Sequence, residues 1–123
     1  MAVTDKTENP VACAEVRWRT AGEGGRRSGP PTVPVYMATA VFVLGDESEV
    51  QPGWPASADQ ISILLEKTGE RADGTWSCTV GFLVPDLAWP HLHPTAELLV
   101  LEGPRTVAVA RITEVFAQDN SEQ

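Results

Sequence analysis

Apolar and polar residues alternate along several short segments of this chain. Between residues 12 and 19, Ala14, Val16 and Trp18 fall on one face, and charged side chains occupy most of the positions between them. A period of two is typical of a strand with one buried face. Residues 75–83 repeat the pattern, and their tryptophan, cysteine, valine and phenylalanine are predicted to face inward.

The same pattern predicts six strands, separated by turns and loops rich in glycine and proline. They are Ala12 to Arg19, Val35 to Leu44, Gln60 to Glu66, Thr75 to Leu83, Glu97 to Leu101 and Thr106 to Val115. No window supports a helix of ten or more residues. We therefore predict an all-β fold, a six-stranded antiparallel closed β-barrel or a small sandwich. The barrel is favoured, because so small an open sheet would expose apolar edges.

The length of 123 residues suits one domain with its own core. Residues 1–10 and 118–123 are polar and aperiodic, and we expect them to be disordered tails. Residues 11–117 are then a single barrel domain. Two long loops, residues 20–34 and 45–58, interrupt it.

The formal net charge of −8 argues against a general nucleic-acid binder, which needs clustered basic residues. The charge is uneven, however. Arg17, Arg19, Arg26 and Arg27 lie close together in sequence, whereas residues 28–66 contain no lysine or arginine. This distribution favours a solvated acidic surface that keeps the protein soluble, and one basic edge beside an acidic face is the alternative.

Cysteines and motifs restrict the chemistry further. The chain has two cysteines, Cys13 and Cys78, in separate predicted strands, and without a secretory signal we expect free, buried thiols in a cytoplasmic protein. No phosphate-binding or dinucleotide-binding glycine motif occurs, so we expect no GTP binding by this chain alone and no cofactor. No apolar run is long enough for a membrane span.

The most enzyme-like feature is His91-Leu92-His93 followed by Glu97. Two imidazoles and a carboxylate can bind iron or manganese, and the spacing resembles the first metal motif of the cupins. Pro90 and Pro94 flank the pair, and this placement is also typical of a loop with exposed histidines. A small cupin-like metal-dependent enzyme is therefore the alternative to a non-catalytic protein.

Two further segments carry a family resemblance. Ala14-Glu15-Val16 and then Glu23-Gly24-Gly25-Arg26 resemble the opening of the third domain of translation elongation factor Tu, and Glu102-Gly103-Pro104-Arg105-Thr106-Val107 resembles its last hairpin. The resemblance covers about residues 12–115. The chain differs from the family at Leu101, where an arginine is usual, and at Pro104, which replaces a glycine.

The resemblance implies a six-stranded barrel that performs no chemistry. In the family, this domain packs against the GTPase domain and contacts the T stem of aminoacyl-tRNA, partly through the turn that matches Glu102 and Gly103. We therefore expect a binding module, with a protein partner favoured over tRNA because of the net charge. The partner is then a translation component, or the protein acts as a mimic or immunity-type protein. The predicted contact residues are Arg17, Arg19, Arg26, Glu102, Gly103 and Arg105.

Overall fold

The computed structural model describes residues 10–45, 54 and 60–116. Their regular elements follow in chain order. The strands are β1 (Ala12–Trp18), β2 (Val35–Val43), β3 (Ile61–Glu70), β4 (Trp76–Phe82), β5 (Glu97–Glu102) and β6 (Arg105–Val115). A four-residue α-helix, α1 (Pro85–Ala88), and two 3-10 turns, Ala21–Glu23 and Trp89–His91, complete the set.

The six strands form a closed antiparallel barrel in the order β1-β4-β3-β2-β5-β6. The barrel closes where β1 pairs with both β4 and β6, for example Val16 with Trp76 and with Ala110. Hydrogen bonding around the whole ring leaves no open sheet edge in the barrel. This confirms the predicted fold class.

The alternation of apolar and polar residues in the sequence matches the core that the structure shows. Side chains at every second position of each strand point into the barrel, and the largest fully buried ones include Ile63, Leu65, Leu98 and Ile112. In β4 the inward set is the one predicted from the sequence, from Trp76 to Phe82. Removing this apolar surface from water is the main stabilising contribution to the fold.

The predicted bounds were least accurate at two connections. Strand β3 continues beyond Glu66 to Glu70, with a bulge between Lys67 and Gly69. The turn into β4 is consequently shorter than predicted. Residues 85–91, predicted as loop, contain helix α1 and a 3-10 turn, and Pro85 starts the helix at a position where no backbone donor is needed.

The two cysteines lie on neighbouring strands but on opposite sheet faces. Cys78 pairs with Ala14 in the ladder, and Cys13 pairs with Thr79. The thiols therefore point to different sides of the sheet, and both are free. Cys78 is buried as predicted, whereas Cys13 is only half-buried.

Several expectations concern residues outside the described ranges. The two predicted tails lie there almost entirely, and so does most of the acidic connection between β2 and β3. Within the described ranges, no helix has the length and apolar character needed to cross a lipid bilayer.

Candidate functional site

At one end of the barrel, the connection between β1 and β2, residues 19–34, lies against the β5–β6 hairpin, and we call it the strap. It begins with a capping box, in which the Thr20 hydroxyl accepts from the Glu23 amide (3.2 Å) and the Glu23 carboxylate accepts from the Thr20 amide (2.9 Å). The hydrogen bond from the Thr20 amide favours the charged carboxylate and lowers the pKa of Glu23, and the nearby Arg17 and Arg19 act in the same direction. The strap therefore has a defined start.

Two glycines turn the strap back over the barrel. Gly24 has φ +93°, a left-handed conformation that glycine adopts without strain. Gly25 is buried against the backbone of Arg19, and a Cβ at this position would lie 2.7 Å from the Arg19 carbonyl carbon. Only glycine fits this close approach, so the Gly-Gly pair in the first motif has a steric cause.

The strap is fastened to the β5–β6 hairpin by three side chains, Arg26, Tyr36 and Glu102, which we call the latch. Arg26 Nε donates to Glu102 Oε2 (2.8 Å), and its Nη1 donates to the carbonyl of Gly29 within the strap (2.6 Å). The Tyr36 hydroxyl donates to the same Glu102 oxygen. Burial, followed by this bond to a carboxylate, raises the pKa of Tyr36.

Beside the latch, three rings line the end of the barrel: Trp18, Tyr36 and Trp76, which we call the aromatic mouth. The Trp18 ring meets Tyr36 edge-on at 5.3 Å and Trp76 at 5.1 Å between centroids. Two cations lie over these rings, since Lys67 Nζ is 4.7 Å from the Trp76 centroid and the Arg26 guanidinium is 5.7 Å from that of Tyr36.

The indole N–H of Trp18 stands out within this cluster. It is buried, and no acceptor among the described residues lies within hydrogen-bonding distance. Most buried donors in proteins are paired, so an unpaired one calls for a physical explanation.

The barrel brings the predicted contact residues to one corner. Glu102 and Arg105 face each other across the hairpin turn, where Gly103 has φ +61°. Arg105 also reaches the Gly25 carbonyl of the strap (3.4 Å). The two motifs, far apart in sequence, are therefore in direct contact.

The arginines of this corner have different environments. Arg26 is held by the latch, with its side chain about one quarter exposed (24%). Arg19 is half-buried beside Gly25. Arg17, Arg27 and Arg105 are exposed. We call Arg17, Arg19, Arg26, Arg27 and Arg105 the basic corner, and three of the five are open to a partner.

The histidines of the proposed metal motif are not gathered around one point. His91 is half-buried and packs on the Phe42 ring (5.2 Å between centroids). His93 is exposed, with Nδ1 2.9 Å from the Pro94 carbonyl oxygen, and Glu97 is exposed at the start of β5. Across the described residues, no three histidine, cysteine or acidic side chains are arranged to hold a metal ion.

The buried thiol is a poor nucleophile. Cys78 lies in the core, and burial raises its pKa to about 12, although Lys67 acts in the opposite direction. A thiol with so high a pKa is almost fully protonated at neutral pH, and the thiolate is the reactive form.

An open cleft of about 250 Å³ lies on the outer wall of the barrel, between Glu15 and Arg111. Its rim includes Thr95, which has φ +76°, an unfavourable conformation for a β-branched residue. Glu15 forms an ion pair with Arg71. This cleft is well separated along the strands from the latch.

Five residues of this barrel end were not among the predicted site residues: Trp18, Arg27, Tyr36, Lys67 and Trp76. Trp18 and Trp76 were predicted to face inward and Arg27 to lie in the arginine-rich segment, so only Tyr36 and Lys67 are new. Tyr36 is the only tyrosine of the chain and stands at the start of a strand directly after the arginine-containing loop. That position could have indicated Tyr36 as a candidate site residue. Nothing in the sequence indicated Lys67, because its position over Trp76 depends on the extension of β3 beyond its predicted end.

Comparisons with protein families, with curated proteins and with solved structures find no match for this chain.

Proposed function

We propose that this protein is a non-catalytic binding module that docks a protein partner at the basic corner. One observation carries the proposal: the strap and the last hairpin meet, through Arg26 and Glu102, in an otherwise acidic molecule. Five of the nine lysines and arginines of the chain belong to this corner. Such a concentration of one charge steers an oppositely charged partner and orients it.

The partner favoured by this surface is a protein with an acidic segment. The side chains of Arg17, Arg27 and Arg105 are exposed. Each guanidinium can donate two parallel N–H bonds to the two oxygens of one carboxylate. Glu23 and Glu102 lie among them and repel phosphates, which weakens binding to a nucleic-acid backbone. The protein partner therefore fits this corner better than tRNA.

The resemblance to the third domain of elongation factor Tu suggests which proteins to test first. If the barrel has this origin, its partner is a component of translation, or a factor that acts on one. A small barrel of this kind then acts as a mimic that competes for the partners of the translation factor. This origin stays a prediction.

The proposal is tested by site-specific photo-cross-linking in cells. A photoreactive residue replaces Arg27 or Arg105 in the corner, or Arg111, which is exposed on the outer wall of β6 and serves as the matched control. We expect a discrete protein adduct from the corner positions and none from position 111. Adding the substitution Arg17→Glu should remove the adduct, because it reverses one of the exposed charges.

Two results would contradict the proposal. Identical adducts from all three positions would show nonspecific contact. Adducts consisting of RNA would favour the tRNA alternative, and a titration with purified tRNA at increasing salt would then give a steep loss of affinity.

A further inference from the structure

We infer that the aromatic mouth is a binding site for a small aromatic carboxylate, and that the strap gates it. The inference goes beyond the proposed docking of a protein, because it concerns the barrel end beneath the strap and not the exposed arginines. It depends on the unpaired Trp18 donor, on the cation over Trp76, and on the latch.

The unpaired indole N–H defines the first requirement of the ligand. Trp18 stands at the end of β1, and its Nε1 is buried without an acceptor among the described residues. A ligand atom with a lone pair would complete the hydrogen bonding of this donor. The ligand must therefore offer an acceptor at the mouth.

The rings define the second requirement. Trp18, Tyr36 and Trp76 meet edge to face at 5.1 and 5.3 Å, and Tyr36 and Trp76 are only 7% and 5% exposed, so a ligand reaches these rings only when the strap is open. Aromatic surface uncovered in this way stacks best against a planar ring. A flexible or bulky aliphatic group fits this surface less well. The ligand is therefore planar.

The charges define the third requirement. The Lys67 ammonium lies 4.7 Å from the Trp76 centroid, and its ion pair with Glu70 lies on the exposed side, where the side chains are 39% and 47% exposed. The indole N–H and the ammonium both favour a negative acceptor. A planar ring that carries a carboxylate meets all three requirements.

The strap controls access to this site. Arg26 lies over the Tyr36 ring and is joined to Glu102, so the closed strap covers the mouth on its Tyr36 side. If a ligand binds only when the strap is open, its apparent affinity is its intrinsic affinity multiplied by the fraction of molecules with an open strap. Breaking the latch must therefore strengthen binding, which is the reverse of what damage to a binding residue does.

The test follows the four tryptophan indole N–H signals of the full chain by 1H–15N NMR, assigned by Trp→Phe substitutions. Benzoate is the probe. Benzamide has the same shape without the charge, and cyclohexanecarboxylate has the charge without the planar ring. We expect benzoate to move the Trp18 signal saturably downfield, with little effect from either control compound. The signal of Trp89, at the other end of the barrel, should stay in place.

Variants separate the ligand contacts from the gate. Trp18→Phe should lower benzoate affinity at least about tenfold, measured by ligand-observed NMR, and Lys67→Met should remove the preference for benzoate over benzamide. Glu102→Ala should raise the affinity about three- to tenfold, as expected for loss of a partly exposed ion pair that holds the closed state. Arg26→Gln breaks the same latch from the other side and should act likewise.

Glu15→Gln is the matched control, since it breaks the ion pair with Arg71 on the outer wall and should leave the affinity unchanged. Absence of a saturable Trp18 shift at roughly 50 mM benzoate, far above a millimolar dissociation constant, would overturn the site. Equal binding of benzamide would overturn the assigned anion. Unchanged or weaker binding by both latch variants would overturn the gate.

Discussion

The two ends of the barrel are closed in different ways. At the strap end, a carboxylate shared by Arg26 and Tyr36 fastens a loop beside a cluster of three packed aromatic rings. At the other end, Phe42 packs against Phe82 (6.4 Å) and His91 (5.2 Å), beside helix α1. Both ends contain packed rings, and removing one destabilises the fold, but the loop at the strap end is held by an ion pair that can open and close at little cost. The strap end therefore has the properties of a site, and the other end those of a support.

The largest effect is expected at the supporting end. Phe82 is buried (6% exposed) and contacts Phe42 within the core, so Phe82→Ala should lower the free energy of unfolding by about 3–5 kcal/mol. Denaturant unfolding measures this change. Leu87→Ala, at an exposed position of helix α1 at the same end, is the control and should change stability by less than about 0.5 kcal/mol. Similar losses for both would contradict the assignment of Phe82 to the core.

A smaller loss is expected from a methyl group under the strap. Gly25→Ala places a Cβ 2.7 Å from the Arg19 carbonyl carbon, and the backbone must shift to relieve the clash. We expect a loss of about 2–3 kcal/mol in chemical denaturation. At Gly22 the nearest atom to a Cβ is the Thr20 hydroxyl at 3.9 Å, so Gly22→Ala should be nearly neutral. If the two variants have equal stability, the strap does not lie against Arg19 as described.

The latch itself should contribute less to stability than either. Glu102→Gln removes the charge that holds Arg26 and weakens the bond from Tyr36, which should lower the free energy of unfolding by about 1–2 kcal/mol. The loss should shrink at high salt, because the Glu102 side chain is 41% exposed. A salt-independent loss would indicate that packing, and not charge, fastens the strap.

Alkaline pH tests the latch from the tyrosine side. The pKa of Tyr36 is raised in the folded state, so its contribution is complete below the unfolded-state pKa of about 10 and is lost as the pH rises toward the folded-state value. We expect about 1 kcal/mol less stability at pH 11 in the wild type than in Tyr36→Phe, after both are referred to pH 8. Because Tyr36 is the only tyrosine, phenolate absorbance reports its titration directly. A pKa near 10 in the folded protein would refute the buried bond to Glu102.

The supporting parts of the fold could be predicted from the sequence far better than the site. Alternation around Val16 and Val80 reports burial at each position separately, so it predicts strands and their inner faces. The contact of Arg26 with Glu102 spans 76 residues and exists only after the barrel has closed, so no local pattern contains it. The position of Lys67 over Trp76 depends in the same way on the bulge in β3.

The strand order also bears on how this molecule folds. β1, the first of the six strands along the chain, lies between β4 and β6, and Trp18 pairs with Ala108 of β6. Pairing over such a sequence separation carries a large loop-closure entropy, and it slows folding relative to a fold built from neighbouring hairpins. Until β6 is available, β1 and β5 each leave an unpaired edge that can pair with another chain. The slowest step and the greatest aggregation risk during folding therefore coincide at the β1–β6 seam.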